Sequence, residues 1–263
     1  MATPPQISLP VPAGEIRIFR DVEDLCDAAA YMFMNVAVEA VKDHGRFAVA
    51  LSGGSTPKRL YSMLAEPDRA KRISWDHVHL FWGDERCVPP FEPESNYGMV
   101  QEALLHKISI PATNVHRVRG EIRPEQAATE YDTLLREFFG VARDGLPRFD
   151  LVLLGLGEDG HTASLFPGSP ALDESERLAV ASYVEKLNAY RVSLTLPVLN
   201  HAAVIGFLVA GERKRSAVTR VVRHPDESGE LPAQRVRPVD GRLLWFLDTA
   251  AAAGIDWESP LRQ

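Results

Sequence analysis

The sequence predicts an α/β protein with a mainly parallel sheet that is covered by helices on both faces. Short apolar runs, typical of buried strands, alternate with segments of helical periodicity along most of the 263 residues. Three polar, glycine-rich stretches follow apolar runs directly, at residues 52–56, 83–86 and 155–161. Because ligands bind at the carboxyl ends of the strands in such sheets, these stretches are expected to meet in one active site.

The first predicted helix illustrates the helical pattern. Asp21 is a suitable N-cap, apolar residues then recur every three or four positions, and Gly45 is placed to end the helix. Further helices are predicted from Pro57 onwards, over 96–108, over Pro124–Phe139 and in the segment "ERKRSAVTRVVR".

The predicted strands are short apolar runs, namely "RFAVAL", "HVHLFW", "FDLVLL", "RVSLTLP", "AVIGFLVA" and "LLWFLD". Residues 1–14 are expected to form a loosely ordered lead-in, and residues 15–263 a single α/β domain. The irregular segment "RHPDESGELPAQRVRP" is predicted to be a loop.

Composition argues against several classes of protein. The net charge of −7 makes nucleic acid an improbable partner. No apolar stretch is long enough to span a membrane, and the first residues lack the features of a signal peptide. Cys26 and Cys87 form no metal-binding or disulfide pattern, which favours the reducing cytoplasm. The sequence therefore predicts a cytoplasmic protein without metal or cofactor, and no obligate protein partner is evident.

The stretch "LSGGSTP" is a candidate anion site. Gly53 and Gly54 leave the backbone N–H groups unobstructed between a strand and a helix, and Ser55 and Thr56 add hydroxyl donors. The spacing matches neither a Walker A loop nor G-x-G-x-x-G. The alternative is a tight turn with an ordinary helix cap.

The stretch "WGDERCVP" places charged residues at the end of a strand. Arg86 could bind an anion or polarise a carbonyl, and Asp84 could accept a hydrogen bond from a sugar hydroxyl. A solvated loop of mixed charge explains the same pattern, so this stretch gains weight only if it lies in the same cleft as the others.

The stretch "GLGEDGHTASLF" carries the strongest catalytic signal. Gly155, Gly157 and Gly160 suit a loop that folds closely against a ligand. A helix beginning near His161 would keep the imidazole neutral and ready to act as a base, with Asp159 orienting the ring or compensating its charge. The alternative is a helix-capping turn with an incidental histidine.

Two cations flank a short loop in "YVEKLNAYRVSL". Lys186 and Arg191 would ordinarily be interpreted as solubilising surface residues. The clusters at 213–215 and 235–237 are likewise expected to be solvated. The residues alone thus predict an α/β enzyme with a phosphate pocket and a loop histidine, and they leave the substrate open.

Four stretches together resemble the 6-phosphogluconolactonases, in order and over about residues 15 to 250: "LSGGSTP", "WGDERCVPPFEPESNYGM", "DLVLLGLGEDGHTASLFPGS" and "KLNAYRVSLTLPVLNHA". The histidine loop is shared in looser form with the glucosamine-6-phosphate deaminases. The resemblance implies a modified Rossmann-like, mainly parallel sheet with helices on both faces, plus a small additional α/β portion. It also implies 6-phospho-D-glucono-1,5-lactone as the substrate.

The resemblance suggests a role for each candidate residue. His161 would take a proton from the attacking water and return it to the departing ring oxygen, with Asp159 orienting it. Arg86 or loop N–H groups would face the oxyanion, and Asp84 completes the catalytic set. The 6-phosphate would be bound by the Gly53–Thr56 loop together with Lys186 and Arg191.

Two other functions are considered. One is an isomerase/deaminase acting on glucosamine 6-phosphate, with Asp84 as the base at C2. That class typically follows the histidine loop with Asn-Glu-Pro, whereas Leu165 and Phe166 precede Pro167 here. The other is a non-catalytic sugar-phosphate sensor, which would have no use for His161.

Overall fold

The computed structural model describes residues 7–11, 14–223 and 231–255. A central sheet of eight strands has the order β1-β2-β11-β10-β7-β3-β4-β6. From β2 to β6 all neighbours in this order run parallel, and only the edge strand β1 is antiparallel. These strands are β1 (Ile7–Val11), β2 (Gly14–Phe19), β3 (Phe47–Leu51), β4 (Val78–Trp82), β6 (Val115–His116), β7 (Leu151–Leu154), β10 (Val204–Val209) and β11 (Arg242–Asp248).

A second, three-stranded antiparallel sheet forms the small additional portion, in the order β5-β9-β8. Its strands are β5 (Asp84–Arg86), β8 (Ala179–Val184) and β9 (Ala189–Leu194). The segment "RVSLTLP" therefore contributes to this sheet and not to the central one. Because a short turn joins β8 to β9, the two strands pair as a hairpin and cannot be parallel neighbours.

The helices pack against both sheets. They are α1 (Val22–His44), α2 (Ser55–Leu64), α3 (Pro67–Ala70), α4 (Asn96–Ala103), α5 (Pro124–Phe139), α6 (Leu196–Asn200), α7 (Arg215–Arg223) and α8 (Thr249–Ala252). Helix α1 contacts four strands of the central sheet, and α5 contacts β8 and β9 of the small one. The predicted parallel α/β architecture is thus confirmed.

Helix α1 has the ends that its sequence predicts. The carboxylate of Asp21 accepts the backbone N–H groups of Glu23 and Asp24, and Gly45 ends the helix with a φ of 81°. Its apolar face buries Leu25 and Phe33, and Phe33 meets Phe47 of β3 edge to face at 5.1 Å.

Some element boundaries differ from the prediction. Helix α2 begins at Ser55 rather than at Pro57, because the first helical turn tolerates proline. The helix predicted over 96–108 ends at Ala103, where Leu104 leaves helical geometry, and a 3₁₀ turn follows. Within the expected lead-in, Ile7–Val11 pairs with β2. Of the predicted loop near the C-terminus, residues 224–230 lie outside the described residues, and Pro232–Arg235 forms a 3₁₀ turn.

Over the described ranges 7–11, 14–223 and 231–255, no helix is both long and apolar enough to cross a membrane.

Candidate active site

A cleft of about 410 Å³ lies at the carboxyl edge of the central sheet. After β3, the next strands of the central sheet, β4 and β6, are added on one side of β3. The later strands β7, β10 and β11 are added on its other side, so the strand order reverses at β3. The loops after β3 and β7 therefore flank the switch point at which doubly wound sheets bind ligands. All three glycine-rich stretches reach this cleft, as the sequence predicted.

The loop after β3 presents backbone donors to the cleft. The side chain of Tyr61 fixes the loop from below, because its hydroxyl accepts the N–H of Ser52 at 2.9 Å and donates to the Ser52 carbonyl at 2.8 Å. Gly54 has a φ of 107° and directly precedes α2, which has no side-chain N-cap. The first N–H groups of this helix are thus left for a ligand, together with the hydroxyls of Ser55 and Thr56.

Asn96 is a cleft residue that the sequence analysis did not select. Its amide nitrogen donates to the Asp84 carbonyl at 2.9 Å, and its oxygen lies so close to the loop that a Cβ on Gly53 would be 1.9 Å away. Position 53 therefore requires glycine. The "SN" pair within the longer quoted stretch was the available signal, but the distance between it and Gly53 is not visible in the sequence.

The stretch 84–86 forms strand β5 and not a solvated loop. Asp84 is buried, and it accepts the Ser164 hydroxyl at 2.6 Å. Glu85 faces away from the cleft and accepts the backbone N–H groups of Asn96 and Tyr97, both at 2.7 Å. Burial raises the pKa of the Glu85 carboxyl despite these bonds. Glu85 thereby anchors α4, whereas Asp84 faces the cleft.

The loop after β7 holds a histidine–carboxylate pair. Nδ1 of His161 lies 2.6 Å from Oδ1 of Asp159, and the same oxygen accepts the backbone N–H of His161 at 3.2 Å. This geometry places the proton of the neutral ring on Nδ1 and leaves Nε2 as the basic nitrogen. Nε2 has no hydrogen-bond partner among the described residues, and His161 lines the cleft.

The expected helix at His161 is absent from this loop, and that expectation was wrong. Residues 155–169 contain turns and an isolated bridge between Thr162 and Leu165. Short-range bonds shape the loop instead, because Gly157 donates to the His161 carbonyl at 2.8 Å and Thr162 donates to the Gly155 carbonyl at 2.9 Å. No helix therefore begins at the imidazole within this loop.

Burial, and not a helix, keeps the imidazole neutral. Desolvation lowers the pKa of His161, and Asp159 opposes this effect only in part. For Asp159, burial alone would raise the pKa, but hydrogen bonds from Lys186 and His161 outweigh it and hold the pKa well below its ordinary value. At neutral pH the pair is therefore a neutral ring beside an ionised carboxylate.

Glycine at position 157 is a requirement of this pair. A Cβ there would lie 2.0 Å from Nδ1 of His161 and 2.6 Å from Oδ1 of Asp159. The pair thus packs directly against the backbone of its own loop, which fixes the position of the ring.

Three cations in the cleft have no ion-pair partner among the described residues: Arg86, Arg191 and Lys214. Arg86 and Arg191 are direct cross-strand partners on β5 and β9. Burial lowers the pKa of Arg191, and the charge of Arg86 lowers it further. Neither guanidinium is in an ion pair with a carboxylate among the described residues, although the charges of Asp84 and Glu85 partly offset the effect on Arg191, so the two groups form an anion site.

Lys214 corrects one expectation from the sequence. The cluster at 213–215 was expected to be solvated, but Lys214 is half-buried and lines the cleft beyond the end of β10. Arg213 is exposed. Both residues belong to a 3₁₀ turn that precedes α7. The helical periodicity of the sequence therefore does not predict which of them faces the cleft.

Lys186 also lines the cleft, but its ammonium group is already engaged. It donates to Oδ2 of Asp159 and lies 4.5 Å from the ring centroid of Phe166. Of the two cations flanking the loop between β8 and β9, Arg191 is unpaired and Lys186 is paired.

Within the described part of the chain, no group of three or more His, Cys, Asp or Glu side chains is arranged to hold a metal ion.

Comparison with known proteins identifies the family. Residues 20–245 match the family of glucosamine-6-phosphate isomerases/6-phosphogluconolactonase. A 6-phosphogluconolactonase of Nostoc sp. is 43% identical over 215 residues, which cover 81% of this chain and 87% of the relative. The structure of the 6-phosphogluconolactonase from Trypanosoma brucei has a TM-score of 0.82 at 28% identity, covering 92% of this chain and 98% of that one.

The same fold is found in a protein with a different activity. A monomeric glucosamine-6-phosphate deaminase has a TM-score of 0.76 at 16% identity, over 91% of this chain and 99% of that one. This likeness concerns the fold alone, so the choice between the two activities depends on the residues of the cleft. By sequence and fold, the chain belongs to the glucosamine-6-phosphate isomerase/6-phosphogluconolactonase family.

Proposed function

We propose that this protein hydrolyses 6-phospho-D-glucono-1,5-lactone to 6-phosphogluconate. The observation that carries the proposal is a neutral, carboxylate-oriented histidine in the same cleft as two unpaired arginines and a donor-rich loop. Hydrolysis of this lactone needs a base for water, a stabilised oxyanion and a site for a dianionic phosphate. The names of the relatives support the same substrate.

His161 is the proposed general base. Nε2 takes a proton from the water that attacks C1 of the lactone, and the imidazolium then protonates the departing ring oxygen. Asp159 holds the ring through Nδ1 and stabilises the imidazolium. No covalent intermediate with the protein is needed.

Arg86 and Asp84 complete the proposed catalytic set. Arg86 lines the cleft, donates to the backbone carbonyl of Glu94 and forms no ion pair among the described residues, and we assign its guanidinium to the oxyanion that develops on the lactone carbonyl. Asp84 is held by Ser164 and accepts a hydroxyl group of the sugar.

The phosphate is proposed to bind to the loop after β3 and to the further cations of the cleft. The loop of Gly53, Gly54, Ser55 and Thr56 supplies N–H and hydroxyl donors. Arg191 and Lys214 supply positive charge, and neither is paired with a carboxylate among the described residues. The phosphate contact of Lys186 stays a prediction, because its ammonium group is bonded to Asp159 in this structure.

Deamination of glucosamine 6-phosphate is the competing activity. It requires opening of the sugar ring and removal of a weakly acidic C2 proton. In place of an additional carboxylate, the histidine loop continues into Leu165 and Phe166, which are both buried. Asp84 would have to act alone as the base.

Two assays on the same preparation test the proposal. We expect rapid consumption of the lactone above its spontaneous hydrolysis, and no ammonia release from glucosamine 6-phosphate. Robust ammonia release with weak lactone hydrolysis would instead establish the deaminase activity. Failure of both reactions, with retained binding of 6-phosphogluconate, would indicate a sugar-phosphate sensor.

A cytoplasmic location and the lack of nucleic-acid, membrane and obligate protein partners stay predictions, as does activity without a metal or cofactor. Activity that survives exhaustive chelation is the expected result for the last of these.

A further inference from the structure

We propose that Asn96 is a positioning residue, whose buried side chain holds the phosphate loop (residues 53–56) in its binding geometry and joins this loop to Asp84. The inference deepens the proposed lactone hydrolysis, and it rests on that proposal for the identity of the ligand. Asn96 is only 1% exposed, so it acts through the loop and the carboxylate and not by touching the substrate.

The first observation is the orientation of the Asn96 amide. Its nitrogen lies 2.9 Å from the backbone carbonyl oxygen of Asp84 and 3.4 Å from Oδ1 of the same residue. A backbone carbonyl can only accept a hydrogen bond, so the NH₂ group of the amide must face Asp84. The amide oxygen of Asn96 therefore faces Gly53.

The second observation is that this oxygen is buried without a hydrogen bond. Oδ1 of Asn96 has no donor among the described residues, although the amide nitrogen beside it is bonded. A buried acceptor without a donor destabilises the folded state, because it loses its water and gains no partner. Stability of the fold alone therefore does not account for asparagine at this position.

The third observation is the contact that makes glycine necessary at position 53. The three atoms nearest to a Cβ on Gly53 all belong to Asn96, with Oδ1 at 1.9 Å, Cγ at 2.6 Å and Nδ2 at 2.9 Å. Gly54 has a positive φ, but Gly53 does not, so the backbone at position 53 would accept another residue. The Asn96 side chain, and not the backbone conformation, thus restricts position 53.

The backbone of Asn96 is fixed independently of the loop. Its N–H donates to the buried carboxylate of Glu85 at 2.7 Å. The preceding residue, Ser95, caps α4, since its hydroxyl oxygen accepts the N–H of Gly98 at 3.0 Å. Asn96 therefore projects from a defined point in the first turn of α4, and the loop must adapt to it.

These contacts determine where the donors of the phosphate loop lie. The first N–H groups of α2 have no side-chain cap, so the path of the loop decides where they point. Asn96 blocks movement of the loop towards α4, and its oxygen repels any loop carbonyl that turns towards it. Because the same amide is bonded to Asp84, the loop and this carboxylate keep a fixed separation, which a substrate bound at both places requires.

The experiment is a double-mutant cycle between Gly53→Ala and Asn96→Ala. The control is Asn114→Ala, because Asn114 is also buried, donates its amide to the Asp76 carbonyl at 3.0 Å and does not line the cleft. The primary measurement is the Kd of inorganic phosphate, from an NMR titration of the amide signals of residues 53–56. Thermal unfolding and kcat/KM for phosphorylated and unphosphorylated gluconolactone are measured on the same variants.

We expect Asn96→Ala to weaken phosphate binding roughly 10-fold, because binding must then order the loop. Gly53→Ala should weaken it roughly 10²-fold, because the displaced loop misplaces its donors. In the Asn96→Ala background, Gly53→Ala should cause no further loss, since the three clashing atoms are gone. In the Asn114→Ala background the full loss should remain.

Asn114→Ala alone should lower thermal stability and leave phosphate binding unchanged. The preference for the phosphorylated over the unphosphorylated lactone should fall in parallel with phosphate binding in Asn96→Ala and in Gly53→Ala. This parallel loss separates a positioning role of Asn96 from a purely structural one, which would lower stability alone.

Native phosphate binding in Asn96→Ala would overturn the proposal. Independent, additive losses from Gly53→Ala and Asn96→Ala would do so as well, and so would amide signals of residues 53–56 in the native protein that do not respond to phosphate. The titration needs no turnover. If the expected coupling were found in a protein that failed to hydrolyse the lactone, the role of Asn96 would stand and the proposed function would fall.

Discussion

Nδ1 of His161 lies 2.6 Å from Oδ1 of Asp159, and the backbone N–H of His161 donates to that same oxygen at 3.2 Å. One carboxylate oxygen thereby fixes both the ring and its backbone. Because Asp159 and His161 are separated by one residue, this arrangement depends on the tight turn that the surrounding glycines allow. The geometry of the pair is thus determined by the loop after β7, and its position in the cleft is determined by the central sheet.

The neutral state of His161 gives a prediction about pH. Burial lowers the pKa of the imidazole below its ordinary value of 6.5, and only the neutral ring can act as a base. Activity should therefore be constant through neutral pH and fall only as the pH decreases through the lowered pKa of His161. A profile of kcat/KM, corrected for spontaneous lactone opening, measures this. An acid limb above pH 7 would contradict the assignment.

Gly157→Ala tests the packing of the pair against its loop. A Cβ at this position would lie 2.0 Å from Nδ1 of His161, so the ring must move. Displacement of a catalytic group by about 1 Å is expected to lower kcat roughly 10²-fold. The comparison is Gly155→Ala in the same loop, where the nearest atom to a Cβ is Oγ of Ser52 at 3.8 Å. Equal effects of the two substitutions would argue against specific packing at position 157.

Arg191 and Lys214 are predicted to supply phosphate recognition. Hydrogen bonds between charged groups contribute about 1.5–3 kcal/mol, so Arg191→Ala should reduce the preference for phosphorylated over unphosphorylated lactone roughly 10- to 100-fold. Arg191→Lys should recover only part of this preference, because lysine keeps the positive charge but lacks the bidentate hydrogen bonding of the guanidinium. Lys214→Ala should behave as Arg191→Ala does.

Arg213→Ala is the control for these variants, because Arg213 is exposed and lies outside the cleft. If the preference for the phosphorylated substrate persists in both Arg191→Ala and Lys214→Ala, the phosphate binds at another place.

A pair of histidines far from the proposed chemistry predicts acid sensitivity of the fold. Nδ1 of His79 lies 3.2 Å from Nε2 of His116, at the edge formed by β4 and β6. Burial and then the neighbouring His79 lower the pKa of His116 to about 4, and burial also lowers that of His79. The unfolded chain binds protons below pH 6.5 that the folded protein rejects, so stability should decrease as the pH falls from about 6.5 towards 4.

His116→Phe should weaken this acid sensitivity, because it removes the titrating group and keeps a ring against Phe81, whose centroid is 4.3 Å from that of His116. Urea unfolding at pH 7 and at pH 5 measures the difference in the free energy of unfolding. An unchanged difference in His116→Phe, relative to the native protein and to the control His106→Gln at an exposed position, would refute the explanation.

The sequence predicted the architecture because strand and helix patterns are local. The ends of α1 follow from Asp21 and Gly45, and the convergence of the three glycine-rich stretches follows from parallel strands. The resemblance implied a small additional portion, but the sequence did not assign "RVSLTLP" to it, because nothing in that segment distinguishes a strand of one sheet from a strand of another. Pairing between β5 and β9 joins residues about a hundred positions apart.

In the candidate site, too, contacts between residues close in the chain were predictable and contacts between distant residues were not. His161 and Asp159 were predictable as a pair, since they are close in the chain. Lys214 was missed because the neighbouring residues in the sequence do not distinguish a lysine on the surface from a lysine that lines a cleft. The expected helix at His161 was wrong because the glycines that allow a close turn also favour irregular structure over a helix.

The central claim, that His161 is the base for lactone hydrolysis, is tested most directly by the turnover of His161→Ala. Loss of general base catalysis should lower the rate above spontaneous hydrolysis roughly 10²- to 10⁴-fold, while circular dichroism and thermal unfolding remain those of a folded protein. His106→Ala, at an exposed position outside the cleft, should retain full activity. Turnover near that of the native protein in folded His161→Ala would contradict the account.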